Sequence, residues 1–251
     1  MAIRALCSAA AAVAVSSGTA FAAVSFSNDL TSEAGLSPNL EVSDTVDANR
    51  VVTFDGLGAH FGSGAGGNDG RNYIRTTDTD YATTDFVAEV TADFTSGGRV
   101  FIGLGGGTIG AFGTPDWDNT DSIWLEIAPG GLSNYFTFND GPDGPLGAGL
   151  TATGQQIRLR MTWDASMSAI TFEIDNDYAG GPFAADLSSG ALTTIGARDL
   201  STLFTGAEPS SIFFGNGDGL TLRDAVVTVV PAPAGAGLLA MGGLVAIRRR
   251  R

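Results

Sequence analysis

Hydrophobic and polar residues alternate with a period of two along many short segments of the chain. The clearest segments are residues 51–54, 86–94, 99–104, 122–127, 134–139, 157–163, 170–175, 211–214 and 220–230. Because successive side chains of a β-strand point to opposite faces, each segment predicts a strand with one buried face. Gly, Asn and Asp dominate the stretches between them and favour turns, and only residues 199–204 suggest a short helix, with Asp199 or Ser201 as its cap. The pattern predicts one all-β domain at residues 24–230, built as an antiparallel two-sheet sandwich.

The charge of the chain is strongly acidic and unevenly distributed. Its 251 residues include 27 Asp and Glu, all between residues 28 and 224, and 13 basic residues, all of them Arg. Without the arginines at the two ends, eight remain against the 27 acids, a formal charge of −19 for the body. Such a surface repels phosphate backbones and anionic lipid headgroups, which excludes nucleic acid as a partner. A hydrophobic share of 43% excludes a disordered chain.

The first 22 residues have the organisation of an export signal. Arg4 supplies a positive start, residues 9–15 an apolar middle, and Ala20, Phe21 and Ala22 a small-x-small cleavage site. We therefore expect residues 1–22 to act as a signal peptide, cleaved after Ala22 or Ala23, and the body to be exported across the inner membrane.

The last 21 residues, 231–251, combine three features in order. Pro231 and Pro233 frame Ala232, an apolar run fills residues 234–247, and four arginines end the chain: Arg248, Arg249, Arg250 and Arg251. This order resembles the PEP-CTERM sorting signal, which normally has Glu where Ala232 stands. The resemblance implies recognition and removal by an exosortase-type enzyme, and a cell-surface or extracellular destination. Fourteen helical residues span about 21 Å, short of the roughly 30 Å bilayer core. We therefore expect only transient membrane anchoring, through this tail before processing; the alternative is a tail that merely anchors or interacts.

The order of the predicted strands resembles a known architecture. Residues 73–76, 85–93 and 99–105, the hairpin segments 157–164 and 170–175, and a closing strand after Gly215 are similar in order to the concanavalin A-like jelly roll of laminin-G-type domains and bacterial lectins. The likeness covers residues 50–230. It implies binding of carbohydrate or protein, often assisted by calcium, and in some branches glycoside hydrolysis. We also expect a short apolar helix at each end of the chain.

Three carboxylates near residue 175 are candidates for catalysis. Glu173, Asp175 and Asp177 are spaced two apart, so on a strand they share a face. Retaining glycosidases require two carboxylates at close range, and laminarinase-type jelly-roll enzymes carry a similar motif that ends in Glu, where this chain has Asp177. The alternative function is therefore a glycoside hydrolase that uses Glu173 and Asp177.

A hairpin offers a structural explanation for the same carboxylates. If the turn pairs Trp163 with Ile170, then Arg160 lies opposite Glu173 and Arg158 opposite Asp175. The acids then form cross-strand ion pairs, worth roughly 0.2–1 kcal/mol on a solvated face. The apolar residues between them fall on the other, buried face; they are Leu159, Met161, Phe172 and Ile174.

Candidate ligand contacts follow in the middle of the chain. Asp116, Asp118 and Asp121 could gather oxygens around Ca²⁺, with Trp117 presenting a flat face to a sugar ring. The strand at 122–127 places Trp124 and Glu126 on its non-core face, and Tyr135 is expected on the polar face of a later strand, a pattern that suits saccharide binding. The alternative for Trp124 is packing beneath the Gly-rich segment 105–113.

Other chemistries lack the residues they need. His60 is the only histidine and is expected in a Gly-rich loop, which argues against a Ser-His-Asp triad and a histidine zinc site. The glycines at 103–107 precede no helix pattern and no Lys, so a phosphate loop is not expected. The sequence predicts an exported, non-catalytic β-sandwich that binds polysaccharide or matrix polymer, with Ca²⁺ as a candidate cofactor. A structural surface protein without a specific ligand is the remaining alternative.

Overall fold

The structure is a computed structural model that describes residues 23–43, 52–62, 73–94, 99–106, 121–128, 133–138, 146–147, 149–205, 210–215 and 219–231. The expected signal peptide, both expected terminal helices, Pro233 and the four terminal arginines lie outside these residues. Pro231 is described and exposed. No helix within the described residues is long and apolar enough to cross a membrane.

The described chain is built almost entirely from strands. In chain order they are β1 (Phe26–Asn28), β2 (Leu40–Ser43), β3 (Val52–Asp55), β4 (Gly58–Phe61), β5 (Tyr73–Thr76), β6 (Phe86–Phe94), β7 (Val100–Gly106), β8 (Ser122–Ile127), β9 (Asn134–Phe138), β10 (Leu146–Gly147), β11 (Gln156–Asp164), β12 (Ala169–Asp175), β13 (Leu187–Ser188), β14 (Thr194–Ile195), β15 (Arg198–Asp199), β16 (Ser210–Gly215) and β17 (Leu220–Val229). Short 3-10 helices occupy Glu33–Gly35, Tyr81–Thr83 and Leu200–Thr202. Asp199 caps the last of these by accepting from the Ser201 amide at 2.9 Å, which confirms the predicted cap.

Two antiparallel sheets form the sandwich. Sheet A has the order β13-β12-β11-β6-β17-β4-β3, and β1 also pairs with β17. Sheet B has the order β10-β9-β8-β7-β16-β5-β2, and β14 and β15 form a small separate pair. All ladders between the described strands are antiparallel, so the predicted two-sheet sandwich is confirmed.

The core lies between the sheets and is filled by alternate residues of each strand. In β6, Phe86, Ala88 and Val90 are fully buried, whereas Glu89 points to the outer face of sheet A. In the hairpin β11–β12, the four residues predicted to face inward are also fully buried; they are Leu159, Met161, Phe172 and Ile174. The period-two pattern therefore identified the buried faces of the central strands.

A second apolar cluster lies on the outer face of sheet B. Phe213 packs edge to face with Tyr73, Phe101 and Trp124, at centroid distances of 6.1, 5.5 and 6.1 Å. All four side chains are at most 1% exposed. Gly103 lies between its ladder neighbours Trp124 and Phe213, where a side chain would have no room. The sandwich thus has an aromatic layer outside its main core.

Candidate functional site

The hairpin β11–β12 has the register predicted from sequence. Trp163 pairs with Ile170, Arg160 with Glu173, and Arg158 with Asp175. Arg160 lies 3.7 Å from the Glu173 carboxylate and 2.6 Å from that of Glu89 on the other neighbouring strand. Glu173 therefore belongs to an ion-pair network on the outer face of sheet A.

Arg158 is the centre of that network. It is 8% exposed, and its guanidinium lies 2.8 Å from Glu89, 3.2 Å from Asp224 and 2.7 Å from the Tyr178 hydroxyl. Burial lowers the pKa of Arg158, but Asp224 and Glu89 outweigh this effect and the pKa is raised overall. The carboxylates around Arg158 thus compensate a buried cation.

Glu173 is not placed to act together with Trp124 on one sugar. The two residues lie on different sheets, Glu173 on β12 and Trp124 on β8. Asp175 is 3% exposed and accepts a hydrogen bond of 3.0 Å from the Ala184 amide. Among the three acids considered for catalysis, only Asp177 is exposed.

Asp175 and Asp177 instead approach a third acid. Carboxylate oxygens of Asp175, Asp177 and Asp186 all lie within 4.8 Å of one another. The Asn176 amide donates to Asp186 at 2.7 Å and so ties the two parts of this loop together. Three carboxylates at this spacing have the donor chemistry of a Ca²⁺ site. We call these three residues the acidic cluster.

The loop proposed from sequence as a calcium site is described only in part. Asp116, Trp117 and Asp118 lie outside the described residues. Asp121 is described, and its carboxylate accepts a hydrogen bond of 2.6 Å from the Phe204 amide. The structure therefore gives Asp121 a role in positioning Phe204.

The side chains on sheet B that the sequence predicted to contact a saccharide are buried. Trp124 is fully buried in the outer aromatic cluster, and Glu126 is 2% exposed and 2.6 Å from Arg99. Tyr135 was expected on the polar face, but it pairs with Leu125 and stacks on Phe172 of sheet A at 5.7 Å. That assignment is wrong, because Tyr135 lies in the core with 8% of its surface exposed.

His60 lies on β4, so its assignment to a Gly-rich loop is also wrong. Its Nε2 is 2.7 Å from Asp55, and its Nδ1 is 2.8 Å from the Thr221 hydroxyl. The hydrogen bond from His60 is the main reason that the pKa of Asp55 is lowered. Thr221 is only 5% exposed, so its hydroxyl is poorly placed to attack a substrate.

A cavity of about 730 Å³ lies at one end of the sandwich. Trp163 and Phe204 pack edge to face at 5.9 Å in its wall. The remaining lining comes from four chain segments and is rich in hydroxyls; its residues are Ala82, Thr83, Thr84, Asp85, Ala165, Ser166, Ser168, Ser201, Leu203, Thr205 and Val230. We call this cavity the end groove.

Hydrogen bonds between segments fix the shape of the end groove. Trp163 Nε1 donates to the Ala82 carbonyl at 2.9 Å, and Asp85 accepts from the Ala165 amide at 2.8 Å. Phe204 has a left-handed backbone with φ of 56°, which its bond to Asp121 holds in place. The groove is therefore built before any ligand arrives, as most small-molecule sites are.

Sequence reasoning did not find the end groove. Trp163 was assigned only to the end of a strand, and Phe204 only to the end of a short helix. The sequence does show Ser and Thr concentrated in three separate segments that follow strands or turns. It does not show that these segments lie side by side in the fold.

Comparison with solved structures identifies the fold. The chain matches no protein-family model and no curated protein sequence. Lectin I from Ulex europaeus, solved with the methyl glycoside of α-L-fucose, superposes with a TM-score of 0.53 at 11% identity, covering 82% of this chain and 98% of the lectin. The acidic lectin of winged bean, solved with methyl-α-D-galactose, gives 0.50 at 11% identity, covering 83% and 99%. The described body thus has the concanavalin A-like jelly-roll fold of legume lectins.

Proposed function

We propose that this chain is an exported, non-catalytic carbohydrate-binding protein of the cell surface or extracellular matrix, with the end groove as its binding site. The observation that carries the proposal is the combination of a partly exposed aromatic ring, Phe204, with a rim of hydroxyl groups in one preformed groove. The lectin-type fold supports the same conclusion.

The chemistry of the end groove suits a sugar ring. Aromatic side chains offer apolar surface to the C–H faces of a sugar, and convergent polar groups fix its orientation. Here the hydroxyl oxygens of Thr83, Thr84, Ser166 and Ser201 provide acceptors, and Asp85 adds a carboxylate. The hydroxyl protons of the first three are already donated, two to the Asp80 carbonyl and one to the Asp164 carboxylate. No basic residue lines the groove among the described residues, so it favours uncharged hydroxyls over sulfate or carboxylate groups.

Binding to immobilised polysaccharides and a glycan array tests this proposal, with the mature chain from Ala23 to Arg251. Phe204→Ala removes the exposed ring and is expected to weaken binding about tenfold or more, the effect of losing one stacking contact of about 1.5 kcal/mol. Phe183→Ala is the matched control, because Phe183 is also partly exposed but lies over Arg160 on sheet A at 3.8 Å. Absence of binding to all glycans, or equal binding by both variants, contradicts the proposal.

Calcium is the second part of the proposal. The acidic cluster is the candidate site among the described residues, because its carboxylates converge within 4.8 Å; Asp116 and Asp118 lie outside those residues. The acidic cluster lies at the far end of β12 from the end groove, since five residue steps along the strand lead from Ile170 to Asp175, about 17 Å. Calcium bound there would stabilise the loop after β12 without touching a ligand in the groove.

A calcium-dependent melting shift tests the metal site. At 100 times Kd, bound Ca²⁺ adds about 2.7 kcal/mol to the free energy of unfolding, or roughly 5–10 °C in Tm for a domain of this size. Asp177→Asn should remove most of the shift, whereas Asp85→Asn in the end groove should retain it. An unchanged Tm in millimolar Ca²⁺ contradicts the metal site but leaves the groove intact.

Export and sorting rest on the terminal motifs. The proposal is that residues 1–22 are removed during export and that residues 231–251 direct sorting by an exosortase-type enzyme. Replacing Arg248 to Arg251 by Ser in the cell of origin should leave the tail unprocessed, which mass spectrometry of the surface fraction detects. Normal processing of that variant would contradict the role given to the arginines.

A further inference from the structure

A second cavity, of about 640 Å³, lies beside the first residues of the described chain. Its lining includes Phe26, which is half-buried, together with Asn39, Thr77 and Thr79. No Arg or His lines it among the described residues. We call it the N-terminal cavity. Its lining repeats that of the end groove, an aromatic residue among hydroxyl-bearing residues and no basic group.

One short turn separates the N-terminal cavity from the end groove. The 3-10 helix Tyr81–Thr83 contributes Tyr81 to the lining of the N-terminal cavity, and Ala82 and Thr83 to that of the end groove. Because consecutive Cα atoms are about 3.8 Å apart, the two linings meet at this turn. The two cavities are therefore direct neighbours at one end of the sandwich.

Hydrogen bonds hold this turn from both sides. The Tyr81 hydroxyl donates to the Val24 carbonyl at 2.8 Å in the N-terminal cavity, and Trp163 Nε1 donates to the Ala82 carbonyl at 2.9 Å in the end groove. The Ala82 amide donates to the Ser210 hydroxyl at 2.7 Å, at the start of β16. The turn is thus bonded to both sheets, so the two cavities keep a fixed relation to each other.

Exposed apolar side chains gather at the same end of the sandwich. Among the described residues, four large apolar side chains are exposed, Val24, Leu57, Met167 and Val230. Val24 lines the N-terminal cavity, Val230 lines the end groove, and Met167 lies between two residues of the groove lining. Only Leu57 lies elsewhere, in the turn between β3 and β4. Single exposed apolar residues are ordinary, whereas a concentration of them indicates a binding surface.

We propose that the end groove and the N-terminal cavity are two subsites of one binding face, which holds separate units of the same uncharged polysaccharide chain. This inference rests on the proposed function and specifies its partner as an extended polymer bound along its length. Both cavities fall in the range of about 300–1,000 Å³ that is usual for small-molecule sites, so each has room for a sugar unit. A unit bound in one subsite raises the effective concentration of its neighbours at the other.

The test is titration calorimetry of the mature chain with fragments of neutral glucans, galactans and mannans, of two units and of eight units. An eight-unit fragment should bind about tenfold or more tightly than the two-unit fragment of the same polymer, because its second contact is intramolecular. Equal affinity at both lengths overturns the inference and leaves the end groove as a single site. Absence of binding at both lengths contradicts the proposed function itself, and the inference with it.

Variants in the two cavities should act differently on the two lengths. Phe26→Ala should lower the affinity for eight-unit fragments to that for two-unit fragments and leave the latter unchanged, whereas Phe204→Ala should weaken both. Phe54→Ala is the matched control, because Phe54 also packs half-buried against the core but lies on β3, outside both linings. It should leave both affinities unchanged.

Asn39→Ala provides a second probe of the N-terminal cavity should Phe26→Ala fail to fold. The Asn39 backbone holds this wall, since its amide donates to the Leu36 carbonyl at 3.2 Å and its carbonyl accepts from the Thr77 amide at 3.0 Å. Removing the side-chain amide leaves these bonds in place. Asn39→Ala should weaken the binding of eight-unit fragments alone. A loss at both lengths, or at neither, overturns the assignment of the N-terminal cavity as a subsite.

Discussion

Gly103 provides a sharp test of how sheet B packs. A Cβ added at this position would lie 2.5 Å from the Trp124 Cβ and 2.7 Å from the Ile123 carbonyl oxygen, and nearer still to the Phe213 ring. Real Cβ atoms almost never approach other heavy atoms within 3.0 Å. The carbonyl belongs to β8, which is hydrogen-bonded to β7, so it has little freedom to move.

Gly103→Ala is therefore expected to destabilise the sandwich by overpacking. Such substitutions cost about 1–3 kcal/mol, and we expect about 3 kcal/mol because three neighbours conflict and one of them is backbone. For a domain of this size that is a fall in Tm of roughly 6–12 °C. Calorimetric melting of the mature chain, supported by urea unfolding, measures it.

Gly56→Ala is the matched control for this prediction. Gly56 has no heavy atom within 4 Å of the added Cβ. The substitution there should be neutral, or stabilising by about 0.4–1 kcal/mol through the unfolded chain. If Gly103→Ala melts within one degree of the parent protein, the aromatic layer does not pack against β7 as described, and the reasoning is refuted.

Two further predictions concern charged groups. Arg158→Met leaves Asp224 without its cation and Glu89 with Arg160 alone, and should cost about 2–3 kcal/mol in urea unfolding, less than a fully buried pair because both acids keep some solvent contact; no change would show that Arg160 and solvent together compensate the acids. The Ser166 hydroxyl is the main reason that the pKa of Asp164 is lowered, so Ser166→Ala should raise that pKa in a ¹³C carboxyl titration. Because a lowered pKa stabilises the fold above the unfolded value and loses this effect on acidification, the variant should also lose less stability as the pH falls below about 4.

Period-two alternation was sufficient to predict the central hairpin. Once a turn closes between Trp163 and Ile170, the register of every other pair follows, and the structure has Arg160 opposite Glu173 as expected. The same argument failed for Tyr135. Residues 134–139 carry aromatic residues at 135, 136 and 138, so both faces look apolar and the sequence does not say which one is buried.

The end groove was beyond sequence reasoning for a different reason. Trp163 and Phe204 are far apart in the chain, and their contact depends on the path of a loop whose left-handed turn at Phe204 is stabilised by Asp121. A positive φ at Phe has no compositional signal, unlike one at Gly or Asn. Contacts that rest on such loops emerge only from the three-dimensional structure.

The acidity of the body has two distinct structural origins. Glu89, Glu173 and Asp224 surround buried or half-buried arginines on sheet A, so their charges are balanced within the sandwich. At one end of the sandwich, the acidic cluster holds carboxylates that no ion pair among the described residues balances. A body without lysine has few cations of its own to place there. Sequence composition shows the excess of acids, but only the pairing identifies the acidic cluster as the position where a cation from outside the sandwich would be bound.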